Sequence, residues 1–295
     1  MKVTLICPKN ENEGMQNLSA FNLPPTSLNL LASMTPLNWE VEIINENTNP
    51  INFEKHTDLV GITAMTKEVT RGYQIADKYR EKGVGVVIGG VHASMLPEEA
   101  KEHADSVVVG EADLMWGKVL DDFRKGNLKS FYCCPPPSNL DITPLRTISR
   151  TYYVQPSRLL PIRAKFSYIQ TQRGCPNNCE WCSVAKFSGT KVRYKSIPFL
   201  LKETESLGNF DYLFVSDDNI IGNTKRAKEL FQALIPLKIR WITQSDIRIA
   251  DDQIIDLACE SGLSGVMLGL ESINPKNLNK SAPVKKIWRS KYEEV

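Results

Sequence analysis

The chain has 295 residues, of which 42% are hydrophobic and 24% are charged, with a formal net charge of +2 at pH 7. This composition is typical of a globular protein of about two domains, and it excludes wholesale disorder. The near balance of charge gives no reason to expect nucleic acid as a partner. No apolar stretch approaches the about 20 residues that span a bilayer, and no signal peptide is apparent. We therefore expect a cytoplasmic protein without a membrane partner.

The first 125 residues alternate strand-like and helix-like segments. Short apolar runs predict strands at residues 2–7, 40–44, 58–63, 85–88 and 106–109. Helical patterns lie between them, at 26–34, 67–81, 97–103 and 112–123. Regular alternation of this kind predicts an α/β fold with a doubly wound parallel sheet, Rossmann- or flavodoxin-like. Ligands of such sheets bind at the carboxyl ends of the strands.

Residues 126–165 interrupt this alternation and predict a connector between two domains. Prolines recur in it, at positions 135–137, 144, 156 and 161, and proline stiffens the chain. From residue 131 to 165, five basic residues stand against one acidic residue. That excess suits a solvated linker, or else arginines that face an anionic ligand.

A second alternating series begins at Phe166. Its predicted strands are 166–170, 212–215, 240–243 and 265–270, and its predicted helices are 179–185, 197–207, 224–234 and 251–261. Four consecutive strand–helix units predict a partial (β/α) barrel of the TIM type. After Glu271 only 24 residues remain, and none of them forms a pattern typical of a buried strand. We therefore expect the domain at 166–295 to be truncated after its fourth unit.

Three of the seven cysteines lie close together. Cys175, Cys179 and Cys182 have the spacing C-x3-C-x2-C, directly after the first strand of the second series. Disulfides are rare in the cytoplasm, whereas thiolates are soft ligands for iron–sulfur clusters. Three thiolates can hold three irons of a cubane and leave the fourth iron open to a substrate or cofactor. The loop after a barrel strand also lies at the catalytic face.

Two alternatives to a cluster remain open at this point. The three cysteines could bind no metal, or they could hold a structural zinc ion with a fourth ligand from elsewhere. The histidines are His56, His92 and His103, and none follows the cysteines. The remaining cysteines are Cys7, Cys133, Cys134 and Cys259. The last three of these could supply a fourth ligand, although scattered cysteines are more typical of small buried side chains.

The segment Cys175-x3-Cys179-x-Trp181-Cys182 resembles the signature of radical S-adenosylmethionine (SAM) enzymes. The resemblance implies a [4Fe–4S] cluster whose open iron is chelated by the amino and carboxylate groups of SAM. One electron, from a reductant such as flavodoxin or ferredoxin, would then cleave SAM and release a 5′-deoxyadenosyl radical. The resemblance places Trp181 near the adenine, and the alternative is an ordinary core aromatic.

Two further strand ends resemble SAM-contacting positions of the family. The segment 216–219 follows the second strand of the barrel, where the family binds the SAM amino group, and Asp218, or else Asp217, would accept those N–H bonds. The segment 269–272 resembles the motif that contacts the ribose, with Glu271 as the acceptor and Ser272 beside it. Helix capping is the alternative for the aspartates.

Two residues around the third barrel strand could reach the SAM carboxylate. They are Gln244 and Arg248, and a surface position is equally compatible with the sequence.

The first 125 residues resemble the cobalamin-binding domain that precedes the barrel in many radical SAM proteins. The matching stretches are 60–65, 89–93, 96–99 and 109–113. Gly89 and Gly90 allow the backbone to approach a ligand closely, and the hydroxyl of Thr63 could bond to the nucleotide tail. The alternative for these residues is an ordinary turn from strand to helix.

The sequence departs from the family pattern in two respects. It lacks the D-x-H-x-x-G motif, so we assign no cobalt-ligating histidine. Many radical SAM relatives also lack this motif, so cobalamin stays a predicted cofactor. The family barrel usually has six units, and only four are found. No G-x-G-x-x-G follows the first strand, which argues against NAD.

We therefore predict a radical SAM protein that acts on a small-molecule or peptide substrate. The resemblance implies methyl transfer through cobalamin as one form of this activity. The alternative is a truncated, non-catalytic module that binds cobalamin and an iron–sulfur cluster.

Overall fold

The computed structural model describes residues 1–10, 26–133, 135–142, 164–272 and 274, together with the backbone of Tyr152–Val154. These residues divide into two compact units, one reaching Pro137 and the other starting at Ser138. Within the described ranges, no helix is long and apolar enough to cross a bilayer.

Six parallel strands form the sheet of the first unit. They are β1 Lys2–Cys7, β2 Glu40–Asn45, β3 Leu59–Thr63, β4 Gly85–Gly89, β5 Ser106–Val109 and β6 Phe131–Cys133. Their order across the sheet is β2-β1-β3-β4-β5-β6. The direction of winding reverses between β1 and β3, as in a flavodoxin-like sheet, and ligands of such sheets bind at the reversal.

Short helices connect these strands and cover the sheet. They are α1 Thr26–Met34, α2 Val69–Glu81, α3 Val91–Met95, α4 Pro97–Glu102 and α5 Trp116–Arg124. The helix predicted at 67–81 is confirmed as α2, and its side chains Tyr73, Ala76 and Tyr79 are buried against the sheet. The predicted helix at 112–123 is interrupted, because Ala112–Leu114 forms a 3₁₀ turn and α5 starts only afterwards.

The second unit contains a five-stranded sheet and a separate two-stranded pair. The five strands are β7 Tyr152–Val154, β8 Ala164–Ile169, β11 Tyr212–Val215, β12 Trp241–Ser245 and β13 Leu263–Leu268, and the pair consists of β9 Gln172–Arg173 and β10 Arg193–Tyr194. The order across the larger sheet is β13-β12-β11-β8-β7. Strands β8, β11, β12 and β13 are parallel neighbours in chain order, as successive strands of a (β/α) barrel are. Strand β7 is antiparallel to β8.

Four helices of the second unit follow from recognisable local signals. They are α6 Ser183–Phe187, α7 Ile197–Glu205, α8 Thr224–Leu234 and α9 Asp252–Glu260. Ser196 caps α7 by accepting from Phe199 N, and Asn223 caps α8 by accepting from Arg226 N. The core beneath them contains Trp241, whose indole N–H donates to the carbonyl of Ser261 at 3.0 Å.

One expectation about local structure is wrong. The helix predicted at 179–185 begins only at Ser183, because the chain turns through the cysteine segment and Asn178 has a φ of 44°. The segment 126–165, predicted only as a connector, contributes β6 and β7. Each of these strands has only three residues, too few to carry a local pattern. Cys134 lies outside the described residues. Residues 275–295, on which the predicted truncation depends, also lie outside them.

Candidate functional site

The three clustered cysteines lie on the loop between β9 and α6, just beyond the carboxyl end of β8. Cys175, Cys179 and Cys182 are all half-buried. The backbone N–H of Cys175 donates to Gly189 O at 3.3 Å, and that of Cys182 donates to Cys179 O at 3.0 Å. The thiols of Cys175 and Cys182 are near enough to interact electrostatically. Backbone hydrogen bonds therefore hold these thiols in one partly accessible loop.

Gly174 determines how the chain enters this cysteine loop. Its φ is 91°, in the left-handed region that favours glycine. A Cβ at this position would lie 2.9 Å from Gly189 O and 3.1 Å from Lys191 O. Both are backbone atoms that cannot simply rotate away, so the sequence needs glycine directly before the first cysteine.

We expect Gly174→Ala to lower the free energy of unfolding by about 1–3 kcal/mol, because it adds backbone strain and a carbonyl contact. Urea unfolding of the full chain measures this loss. Gly208→Ala is the matched control, since Gly208 has a φ of 70° and its Cβ would meet nothing within 4 Å. Equal losses in the two variants would contradict a contribution from the carbonyl contact.

Asp217 connects the ends of β8 and β11. It is fully buried. Its carboxylate accepts hydrogen bonds from Thr171 N at 2.6 Å, from Gln172 N at 3.0 Å and from the hydroxyl of Thr171. Burial raises the pKa of Asp217 to about 7, although these hydrogen bonds act in the opposite direction. Of the two aspartates predicted for the SAM amino group, Asp217 is thus engaged in the fold, and the half-buried Asp218 is the remaining candidate.

Arg248, which was one of two residues that could reach the SAM carboxylate, has its guanidinium engaged within the chain. Its guanidinium pairs with Asp246, with Nη2 2.5 Å from Oδ2, and it also donates to Asn177 Oδ1 at 3.2 Å. Burial acts to raise the pKa of Asp246, but hydrogen bonds from Arg248 and Asn177 hold it below its usual value. Asp246 therefore carries a negative charge close to the cysteine loop. Gln244 is half-buried on β12.

The other predicted SAM-binding residues are at or near the surface. The indole of Trp181 is 48% exposed, so it is not a core aromatic. Glu271 is exposed and has a φ of 62°, a strained conformation for a residue other than glycine. Ser272 is half-buried, and its hydroxyl accepts from Asn274 N at 3.0 Å. Trp181 lies in the loop between β9 and α6, and Glu271 lies beyond the carboxyl end of β13.

The predicted cobalamin-contacting residues of the first unit lie at the ends of β3 and β4. Gly90 has a φ of 97°, and a Cβ there would lie 2.7 Å from Thr63 Oγ1 and 3.0 Å from Ala64 O. The close backbone approach predicted at Gly90 is therefore made to a neighbouring loop of the chain. A Cβ on Gly89 would meet only ordinary contacts at 3.6 Å. These contacts leave the half-buried hydroxyl of Thr63 beside a glycine turn.

The histidines are engaged within the first unit. The ring nitrogens of His92 lie 3.1 Å from Thr66 Oγ1 and 3.1 Å from Glu99 Oε1. The ring of His103 bonds to Asp77 and stacks on Tyr73, with ring centroids 4.2 Å apart.

In its chemistry, the cysteine loop fits the iron–sulfur cluster expected there. It supplies three half-buried thiols, and both the Asn177 N–H and the Asn219 side chain donate hydrogen bonds to the sulfur of Cys175. Over the residues that the structure describes, no three His, Cys, Asp or Glu side chains are placed to hold a single metal ion. A cubane differs from a single ion, because its cysteines bind separate irons.

The sequence pattern does not identify several polar residues that organise the loops within each unit. Asn177, Asn219 and Asp246 form a hydrogen-bonded group beside Cys175. In the first unit, Ser94 accepts from Gly110 N at 2.9 Å and donates to Gly90 O at 2.8 Å. The only available signal was that Asn219 and Asp246 follow predicted strands, where parallel sheets place their functional side chains.

Two family models match the chain. The B12 binding domain matches residues 17–119, and the radical SAM superfamily matches residues 169–295. Bacteriochlorophyllide d C-8(2)-methyltransferase of Chlorobaculum tepidum is 32% identical over 85% of this chain and 58% of its own length. The C-12(1)-methyltransferase of the same organism is 30% identical over 95% of this chain and 63% of its own length. The chain thus spans about three fifths of these relatives.

Solved structures of the radical SAM methyltransferase TsrM from Kitasatospora setae have a similar fold. One, with tryptophan and a SAM analogue bound, has a TM-score of 0.72 at 17% identity over 95% of this chain and 61% of TsrM. Another, with cobalamin and a [4Fe–4S] cluster bound, has a TM-score of 0.70 at 16% identity over 95% of this chain and 60% of TsrM. The predicted fold class and the predicted resemblance are confirmed. The chain belongs to the radical SAM superfamily, and a B12-binding domain precedes its radical SAM domain.

Proposed function

We propose that this chain binds a [4Fe–4S] cluster on Cys175, Cys179 and Cys182, binds SAM at the open iron, and uses cobalamin to methylate a small organic molecule. The observation that carries the proposal is the loop of three half-buried thiols beside the ends of parallel strands. When bound, the reduced cluster would supply the electron that cleaves SAM to methionine and a 5′-deoxyadenosyl radical, and the corrinoid would carry the methyl group.

The residues of the second unit would bind and orient SAM. Asp218 would accept hydrogen bonds from its ammonium group, because a cation is bound best by a carboxylate. Glu271 and Ser272 would bond to the ribose hydroxyls, which suits the exposed carboxylate of Glu271 and the half-buried hydroxyl of Ser272 beyond the end of β13. The exposed indole of Trp181 would cover the adenine, since a flat apolar side chain in contact with water gains by stacking.

The residues of the first unit would hold the corrinoid without a histidine ligand. Thr63 would bond to the nucleotide tail, and the turn at Gly89 and Gly90 would keep side chains out of its way. The printed names of the similar enzymes from Chlorobaculum tepidum support methyl transfer as the reaction. The electron would come from a low-potential carrier such as flavodoxin or ferredoxin. We place this chemistry in the reducing cytoplasm, where thiols stay free.

Anaerobic reconstitution of the full chain with iron and sulfide, followed by SAM, dithionite and hydroxocobalamin, tests the proposal. We expect about four irons per chain, 5′-deoxyadenosine that appears only when dithionite is present, and a corrinoid that stays with the protein through gel filtration. A chain that binds cluster and corrinoid but forms no 5′-deoxyadenosine would instead be the non-catalytic binding module. A chain that takes up no cluster would refute the proposal.

A further inference from the structure

Asp246 holds the side-chain amide of Asn219 at both ends. Asn219 Nδ2 donates to Asp246 Oδ2 at 2.8 Å, and Asn219 Oδ1 accepts from the backbone N–H of Asp246 at 3.2 Å. Asn219 is only 4% exposed. The two contacts require a donor at one end of the amide and an acceptor at the other, so they fix its orientation.

The same amide nitrogen lies 3.8 Å from the sulfur of Cys175. An amide nitrogen carries two hydrogens, and the bond to Asp246 uses one of them. The second hydrogen is therefore the one that Asn219 offers to the sulfur. The N–H of Asn177, inside the cysteine loop, is another donor to this sulfur.

Asp246 is itself firmly held. It is 3% exposed, and its carboxylate accepts from Arg248 Nε at 2.9 Å and from Asn177 Nδ2 at 2.9 Å. Its position beyond β12 thus links the β11 loop, which carries Asn219, to the cysteine loop. A donor anchored in this way is pre-organised, because its orientation needs no change when the oxidation state of a nearby group changes.

We propose that Asn219 is a positioning residue that donates a hydrogen bond to the ligand sulfur of Cys175 and thereby raises the reduction potential of the cluster. This inference rests on the proposed function. A reduced cluster carries one more negative charge than an oxidised one, so an N–H dipole aimed at its sulfur stabilises the reduced state more. Without that donor, reduction becomes harder.

Asn219→Ser and Asn219→Ala test the proposal, since neither side chain reaches the sulfur with a donor. We expect both reconstituted variants to keep their iron and to have a lower midpoint potential than the wild-type chain, in a dithionite titration followed by EPR. Asn223→Ser is the matched control, because serine also caps α8 and position 223 is not among the donors to Cys175. Unchanged potentials in both Asn219 variants, with iron retained, would overturn the inference.

A second measurement does not depend on the cluster. In the iron-free chain, a donor at the sulfur of Cys175 stabilises the thiolate, which is the form that alkylating reagents attack. We expect iodoacetamide to alkylate Cys175 several-fold more slowly in Asn219→Ser than in the wild-type chain, relative to Cys182 in the same sample. An equal ratio would refute the contact, even if the chain bound no cluster and the proposed function failed.

Discussion

Replacing any one of Cys175, Cys179 or Cys182 by alanine is expected to abolish the iron–sulfur absorption of the reconstituted chain and to reduce its iron from about four per chain to nearly none. The proposed cluster would depend on these three thiolates alone, so the loss of one would leave two irons of the cubane without a protein ligand. The loop is half-buried rather than enclosed, and water and reductant can reach the exposed irons. Iron and sulfide analysis, with the absorption spectrum, measures the outcome.

Cys259→Ala is the matched control for the three loop variants. Cys259 lies on α9 of the same unit and is exposed, so its removal disturbs neither the core nor the loop. We expect this variant to keep its full iron content. Iron that stays unchanged in all three loop variants would contradict the ligand assignment. A colourless wild-type chain that holds zinc, and loses it in the same variants, would replace the cluster with a structural zinc site.

Asp217→Ala is expected to lower the free energy of unfolding by about 3–5 kcal/mol, whereas Asp217→Asn is expected to lose about 1 kcal/mol or less. Alanine leaves the N–H groups of Thr171 and Gln172 buried without an acceptor, and each orphaned donor costs about 1–3 kcal/mol. Asparagine keeps one oxygen for both N–H groups, and its amide nitrogen can donate to the hydroxyl of Thr171. A protonated aspartic acid makes the same bonds, which agrees with the raised pKa of Asp217.

The same variants make a pH prediction. Asp217 has a pKa of about 7 in the folded chain and an ordinary value of 3.8 when exposed, so the folded state binds the proton more tightly. The stabilisation from this group is therefore complete below about pH 4 and is lost as the pH rises to about 7. Asp217→Asn lacks this titration. We expect the wild-type chain to lose stability relative to Asp217→Asn between pH 5 and pH 8.

Urea unfolding of the full chain at pH 5 and pH 8 measures both effects. The difference between the wild-type chain and Asp217→Asn isolates this carboxyl group from the others that titrate. If Asp217→Asn were as damaging as Asp217→Ala at both pH values, the ionised carboxylate would be the form that the fold needs. That result would also return Asp217 to the candidates for binding the ammonium group of SAM.

Local patterns predicted the strands well wherever a strand is continuous and buried. The apolar runs that form β1, β5 and β11 correspond closely to the observed strands, because a parallel strand covered on both faces is apolar along its whole length. The strand β6 was missed, since three residues carry too little pattern and pair with β5 only in the folded chain. The helix after the cysteines was placed too early, because the turns of the loop depend on Gly174 and Asn178.

The candidate site was predictable in part. The cysteines were found because their spacing is chemically specific and lies within one local segment. The sequence favours Asp218, or else Asp217, for the SAM ammonium group, and the buried contact of Asp217 with Thr171 shows only in the structure. The sequence is compatible with Arg248 either near the SAM carboxylate or at the surface, and the structure pairs its guanidinium with Asp246. Both distinctions depend on which neighbour a side chain reaches.

The sequence by itself determined the alternation that builds two parallel sheets, the order in which they follow each other, and the three sulfurs that identify the radical SAM family. These features are local: a periodicity, a spacing, a glycine before a turn. Only the tertiary structure decided which polar side chains stand beside those sulfurs, since Asn177, Asn219 and Asp246 come from three loops that meet only because parallel strands end at a common edge. A hydrogen bond acts over a few ångströms, and the number of residues between two side chains does not tell how far apart they lie in the folded chain.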